Sequence, residues 1–319
     1  MAKKQFKTES KRILDLMINS IYTHPEIFLR EIISNASDAI DKLCYQSLTD
    51  DKVDMQRSDF KIKLGVSEED RIISVSDNGI GMTKEDLENN LGIIAKSGSL
   101  KFKNEMEKSG EASDLDIIRQ FGVGFYSAFM VSDRVTVITK AYGSDTAYKW
   151  ESSGTDGYTI EEWHRDSVGT DVIMHIKDDV EESEYTRFLN EMSIGQLVKK
   201  YSDFIRWPIV MDAVEAEEVE TGALDEDGNP ITKQVTKVVE QVINSMVPIW
   251  QRSKDEVTKE ESDEFYQNIY YDYEPPVSTI RVNAEGQVAY KAMIFIPGRA
   301  PTNFFSDQFE PGLQLYCNG

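Results

Sequence analysis

Glu31-Ile32-Ile33-Ser34-Asn35-Ala36-Ser37-Asp38-Ala39-Ile40-Asp41-Lys42 is the stretch whose reading decides the fold of this chain. At ~100° per residue, Leu29, Ile33, Ala36, Ile40 and Leu43 share one helical face. Glu31, Asn35, Asp38 and Lys42 share another. The first face is an ordinary core face. The second, taken alone, reads as a solvated stripe. Two details single it out. A carboxamide stands between carboxylates, and small neighbours (Ser34, Ala36, Ser37) leave room for a ligand. A glycine-rich carboxylate loop, Asp77-Asn78-Gly79-Ile80-Gly81-Met82, also follows at the end of a strand.

Outward from that helix, Phe60–Val66 and Arg71–Ser76 alternate as a strand hairpin, and Thr83 caps a short helix over Lys84–Asn89. Upstream, Glu9–Tyr22 has helical spacing. Downstream, Leu91–Gly124 is polar, Lys-bearing and punctuated by glycines, which reads as a lid. Phe125–Met130 reads as a short apolar helix. Val131–Lys140, Tyr148–Glu151, Tyr158–Trp163 and Gly169–Ile176 read as strands, Glu184–Met192 and Ile194–Ser202 as helices, and Trp207–Val210 as a closing strand. Residues 212–229 carry eight carboxylates with Gly222, Gly228 and Asn229, an acidic linker or exposed hairpin at a domain boundary. The expected divisions are therefore 1–211, an acidic connection over 212–240, and a second unit over 241–319. In that unit Thr258-Lys259-Glu260-Glu261 is a capping-box helix start, and Val277–Val282, Gln287–Tyr290 and Ala292–Ile296 are strands. The chain stops at Gly319, just after a strand over Leu313–Tyr316, and so reads as a fragment.

The 319 residues suffice for two cores. With 35 basic and 57 acidic side chains the net charge is −22, which argues against nucleic acid as a main partner and against anionic membranes. Cys44 and Cys317 cannot make a disulfide framework, so a reducing compartment is expected. The N-terminal Met-Ala-Lys-Lys-Gln-Phe-Lys lacks the apolar run of a signal peptide, and no stretch is long and apolar enough to span a membrane. These features imply a cytoplasmic address.

Three segments carry chemistry. Asn35 offers a neutral oxygen suited to a hard cation such as magnesium. Asp77, at a strand end, can accept from the exocyclic amine of adenine, while Gly79 and Gly81 let backbone approach the base. Gly122-Val123-Gly124-Phe125 opens a helix and can offer N–H groups to phosphate. Each signal is weak alone, but their order, followed by Gly169-Thr170 on a late strand, is specific. There is no Gly-x-x-x-x-Gly-Lys-Ser/Thr, so this is not a P-loop protein. His164-Arg165-Asp166 looks like a protein-kinase catalytic loop but lacks the following Asn, and no Asp-Phe-Gly exists, so it is set aside. His24, His175 and the two cysteines show no metal-ligand spacing.

This order of motifs resembles the Bergerat fold shared by gyrase, histidine kinases, MutL proteins and the heat shock protein 90 chaperones. Within it, the match is to the chaperones and to their bacterial, HtpG-type branch. It rests on Glu26–Ala39, Asp77–Met82, Gly92–Gly98 and Gln120–Ser127, and in the second unit on Pro248-Ile249-Trp250, Glu264-Phe265-Tyr266 and Phe295-Ile296-Pro297. The resemblance implies an α/β two-layer sandwich, a mostly antiparallel sheet with helices on one face, followed by part of an α/β middle domain. It implies an ATPase that uses ATP closure and hydrolysis to ADP to cycle a chaperone for protein folding under stress. By resemblance, Glu31 activates the attacking water and Asn35 holds Mg. Asp77 reads adenine with Thr170. Asp38, Gly81, Met82, Asn90 and Phe125 line the pocket. Lys96 and the Gly122, Val123, Gly124 and Phe125 backbone meet the phosphates. The partners implied are unfolded or partly folded client proteins, and the full-length protein is a homodimer through a C-terminal domain absent here. Two positions depart from the pattern: Ile93 stands for a more usual threonine and Gly298 for an arginine. The arginine that the family sends to the terminal phosphate lies beyond Gly319, so neither Arg281 nor Arg299 is given that role and turnover by this chain should be weak. The alternatives are a DNA-acting member of the superfamily and a nucleotide-sensing scaffold without turnover.

Overall fold

A computed structural model of the chain describes residues 24–50, 52–92, 124–154, 157–181, 183–224, 230–270, 272–285 and 290–299. The helix expected over 9–22, nearly all of the expected lid, and the strand expected over 313–316 lie outside the described residues. The chain divides into two compact units, Met1–Asn244 and Ser245–Gly319.

The first unit is a sheet with helices laid on one face. Its helices are α1 (Ile27–Ser47), α2 (Lys84–Asn90), α3 (Ala128–Val131, preceded by a 3₁₀ turn over Gly124–Ser127) and α4 (Glu191–Tyr201). Its strands are β1 (Ile62–Ser67), β2 (Ile72–Asp77), β3 (Ser132–Lys140), β4 (Ala147–Ser152), β5 (Tyr158–Trp163), β6 (Gly169–Ile176), β7 (Ile209–Leu224) and β8 (Pro230–Val242). They order as β5-β4-β3-β6-β2-β1-β7-β8. All neighbours are antiparallel except β1 and β7, which run parallel.

Period and pleat explain how the layers meet. Leu29, Ile33, Ala36, Ile40 and Leu43 of α1 are all buried, as their spacing predicts. They pack on the inward residues of alternating strands: Ile62 and Leu64 of β1, Ile73 and Val75 of β2, Val135 and Val137 of β3, and Met174 and Ile176 of β6. Thr83 caps α2 as expected, and Asp86 completes the reciprocal box, its carboxylate accepting from the Thr83 N–H at 2.9 Å.

One stretch differs from the sequence expectation, and a second resolves the two alternatives, linker or exposed hairpin, that the sequence leaves open. Glu184–Met192 is not a helix; only a 3₁₀ turn over Thr186–Leu189 forms there. Asn190 takes an extended conformation and its side chain accepts from the Ser193 N–H at 3.1 Å, so it starts α4 rather than continuing a helix through itself. The acidic stretch after Trp207 is a long hairpin, β7 with β8, continuous with the sheet. Asn244 closes its base: its carbonyl oxygen accepts from Ile209 N–H at 2.8 Å, and its amide donates to the Ile205 and Trp207 carbonyls.

The second unit contains α5 (Lys259–Tyr270) and the antiparallel pair β9 (Ser278–Ala284) and β10 (Tyr290–Ile296). Thr258 and Glu261 make the expected capping box. Phe295 of β10 packs on Phe265 and Tyr266 of α5, with ring centroids 6.0 and 5.3 Å away. Arg281 donates to the Ile249 and Arg252 carbonyls, and Arg299 pairs with Glu274 at 2.6 Å.

Candidate nucleotide site

The polar stripe of α1 does not face open water. Glu31, Asn35, Asp38 and Lys42 form one wall of a cavity of about 800 Å³ in the first unit. That volume is in the range of small-molecule sites. The Ile80-Gly81-Met82 loop, which hydrogen-bonds α1 through Ile80 N–H and the Ala39 carbonyl, also lines it, as do Asn89, Asn90, Leu91, Gly124 and Phe125.

Three adjacent strands supply the floor, in two rows. Val75 of β2, Val172 of β6 and Val137 of β3 are direct partners across the ladders, and all three line the cavity. One pleat further on, Asp77, Thr170 and Thr139 are likewise direct partners. Asp77 and Thr170 line the cavity and are 6% exposed; Thr139 stands behind them at 0%. A flat apolar shelf therefore ends in a line of oxygens. This suits a flat heteroaromatic ring that stacks on its face and hydrogen-bonds at its edge.

Asp77 is set by its neighbours. Its Oδ1 accepts from the Gly79 N–H at 2.8 Å, a local turn that only a short polar side chain makes. Burial pushes its carboxyl up to about 7, the nearby Asp171 adding to that push, while the Gly79 and Thr170 N–H groups and the Arg165 guanidinium pull it down. Arg165 also fastens the strand end. It forks onto Asp171 at 3.0 and 3.1 Å and donates to the Asp77 backbone carbonyl at 3.2 Å.

The glycines of this region have steric reasons. A Cβ on Gly79 would stand 2.4 Å from the backbone of Ala39 in α1, and the next N–H, of Ile80, donates to the Ala39 carbonyl. Gly81 has φ +67°, and a Cβ there would strike the Lys140 carbonyl. A Cβ on Gly124 would stand 2.4 Å from a carboxylate oxygen of Glu31, so that glycine makes space for the carboxylate.

Of the residues singled out from sequence, Glu31, Asn35, Asp38, Asp77, Gly81, Met82, Asn90, Gly124, Phe125 and Thr170 all line this one cavity. Lys96, Gly122, Val123 and Ile93 lie outside the described residues. Sequence reading does not reach Thr139, which shows its partners only in the strand register, or Arg165, which stands in the kinase-like His164-Arg165-Asp166 set aside above. It also misses Asp133 as the partner of His175, whose Nδ1 lies 2.9 Å from it. Cys44 is a free thiol. Among the described residues no cluster of three His, Cys, Asp or Glu side chains is arranged to hold a metal, and no helix is long and apolar enough to cross a membrane.

Comparison with known proteins adds two family matches. Residues 22–180 match the family described as histidine kinase-, DNA gyrase B- and HSP90-like ATPase, and residues 212–318 match the Hsp90 protein family. Among curated relatives, the chaperone protein HtpG of Natranaerobius thermophilus is 51% identical over 322 residues, covering 100% of this chain and 49% of that protein. Those of Alkaliphilus metalliredigens and Clostridium botulinum (strain Langeland) are each 52% identical over 320 residues, again with 100% and 49% coverage. The chain thus spans about half the length of the curated relatives it matches.

Proposed function

The chain belongs to the Hsp90 protein family, and on that premise we propose that it forms the nucleotide-handling part of an ATP-dependent molecular chaperone. The observation that carries this reading is the two-row floor facing the Glu31–Asn35–Asp38 stripe across one cavity. Adenine stacks on Val75, Val137 and Val172 and presents its amine to Asp77 and Thr170. Asp38, Gly81, Met82 and Asn90 enclose the ribose side, and Gly124 and Phe125, with Lys96, Gly122 and Val123, receive the phosphates.

The donor set fits a magnesium ion that arrives with the nucleotide. Asn35 offers one neutral oxygen beside an open cavity, and phosphates and water complete such a shell. Bound there, the ion would offset phosphate charge. Glu31, against Gly124 at the phosphate end, is placed to orient a water and take its proton. ATP is the substrate, and hydrolysis to ADP resets the site.

The binding domain covers residues 1–211. The acidic hairpin over 212–240 leads to a second domain that begins near residue 241. In the longer protein, unfolded or partly folded chains are the clients, and a domain beyond Gly319 joins two copies. The net charge of −22 supports a cytoplasmic protein without a nucleic-acid role. The DNA-acting alternative is not favoured, because the Hsp90 match extends over residues 212–318. Titration calorimetry of this chain with ADP and ATP tests the reading. Saturable one-site binding that Asp77→Asn weakens ten- to a hundredfold (about 1.5–3 kcal/mol) supports it, and unchanged affinity in that variant overturns it.

A further inference from the structure

The third member of the polar row has no contact with the cavity, yet its hydroxyl decides what the second member offers there. Thr139 Oγ1 has three partners. It accepts from the Met82 N–H at 2.9 Å, lies 3.1 Å from the Gly169 carbonyl, and lies 3.0 Å from Thr170 Oγ1. A hydroxyl has one proton and two lone pairs. The Gly169 carbonyl only accepts, so that contact is a hydrogen bond only when Thr139 donates. The Met82 N–H then takes one lone pair of Thr139, and Thr170 must donate into the other. One proton arrangement satisfies all three contacts, and in it the Thr170 proton points away from the cavity.

We propose that Thr139 is a positioning residue for base selection: by taking the Thr170 proton it leaves Thr170 a pure acceptor beside the Asp77 carboxylate. This rests on the nucleotide reading above. The edge then presents acceptors at two adjoining points. It accepts a 6-amino purine, whose exocyclic group has two N–H bonds, and repels a 6-oxo purine, whose O6 meets lone pairs on both sides. A site whose polar groups are buried discriminates strongly in this way, because the wrong partner leaves them unpaired. The flanking geometry holds the arrangement still. Gly169 has φ +127°, and a Cβ there would stand 2.1 Å from the Asp77 carbonyl, so the β6 start lies hard against the β2 end.

The test compares ADP with inosine diphosphate by calorimetry at about pH 8, using the whole chain and the variants Thr139→Val, Thr139→Ser and Thr170→Val. Val keeps the branched shape and removes the hydroxyl. Thr170 then regains a proton for O6, and the ADP-to-IDP affinity ratio should narrow at least about tenfold, the worth of one buried hydrogen bond. Thr139→Ser should restore the parent ratio, and Thr139→Val should add no further narrowing in a Thr170→Val background. A purely structural role would lower both affinities together, so an unchanged ratio in a folded Thr139→Val overturns the proposal. So does equal narrowing in the serine variant. If the parent chain binds neither ADP nor IDP, the nucleotide reading itself falls, which a changed or unchanged ratio cannot mimic.

Discussion

At the scale of single residues, Asp77 links stability to recognition. Its folded-state pKa of about 7 lies above the ordinary 3.8. Between those values the folded, empty chain holds a proton that the unfolded chain has lost. Stability therefore falls as pH rises through that window and levels off above about 7. Asp77→Asn removes the dependence. Thermal melts from pH ~4 to ~8 should show the variant gaining on the parent, by on the order of 4 kcal/mol at most at the upper end. The same substitution should weaken ADP binding, so one change would raise stability and lower affinity. An incoming amine donor favours the ionised carboxylate, so binding near pH 7 should release protons, read as a buffer-dependent heat. Glu31 separates the two roles differently. In the longer protein Glu31→Ala should bind ATP nearly as the parent does and turn over ~10²–10⁴-fold more slowly, as expected for loss of a general base; equal loss of affinity would assign it to binding instead.

At the scale of elements, the loop after β2 is fitted to α1 by contact rather than by flexibility. Gly79→Ala would force a methyl into the Ala39–Ile40 backbone, which cannot give way as a side-chain tip does. Chemical denaturation should show a loss of at least about 1–3 kcal/mol, the usual cost of overpacking, whereas Thr83→Ala at the head of α2 should cost only about 1 kcal/mol. Much at this scale was legible in the sequence. The α1 faces, the β1–β2 hairpin, and the caps at Thr83 and Thr258 all follow from periodicity and local side-chain chemistry, which act within a few residues. The 3₁₀ turn at Thr186 was not legible, because a capping Asn190 outweighed an apolar spacing that reads as helix. The long β7–β8 hairpin was half legible, since carboxylates mark exposure but do not distinguish linker from strand. Thr139 and the valine row were invisible, because they become neighbours only through ladders joining residues far apart in the chain.

At the scale of the whole chain, two units with separate cores should unfold separately. Calorimetry should resolve two transitions, and ADP should raise only the one belonging to Met1–Asn244; a single transition shifted as a whole would contradict this. Steady-state turnover by this chain should lie far below that of the longer protein at saturating ATP. The described arginines of its second unit are already spent on local partners, Arg252 on Glu261 and the Glu256 carbonyl, Arg281 on the Ile249 and Arg252 carbonyls and Arg299 on Glu274. Equal rates would place the full catalytic machinery within residues 1–319.

The strand order also sets when the cavity comes into being. β2 is flanked by β6, and Asp77 meets Thr170 only after more than ninety intervening residues have been synthesised and folded back. No early hairpin forms a partial version of the floor, since β1–β2 alone supplies Val75 and Asp77 without their partners. During translation, then, ligand affinity should be absent until β6 has cleared the ribosome and zipped between β2 and β3, and should appear in one step afterwards. Nucleotide capture by stalled nascent chains of increasing length would time the closing of the central sheet, with the ligand acting as a clock for the pairing that completes the floor.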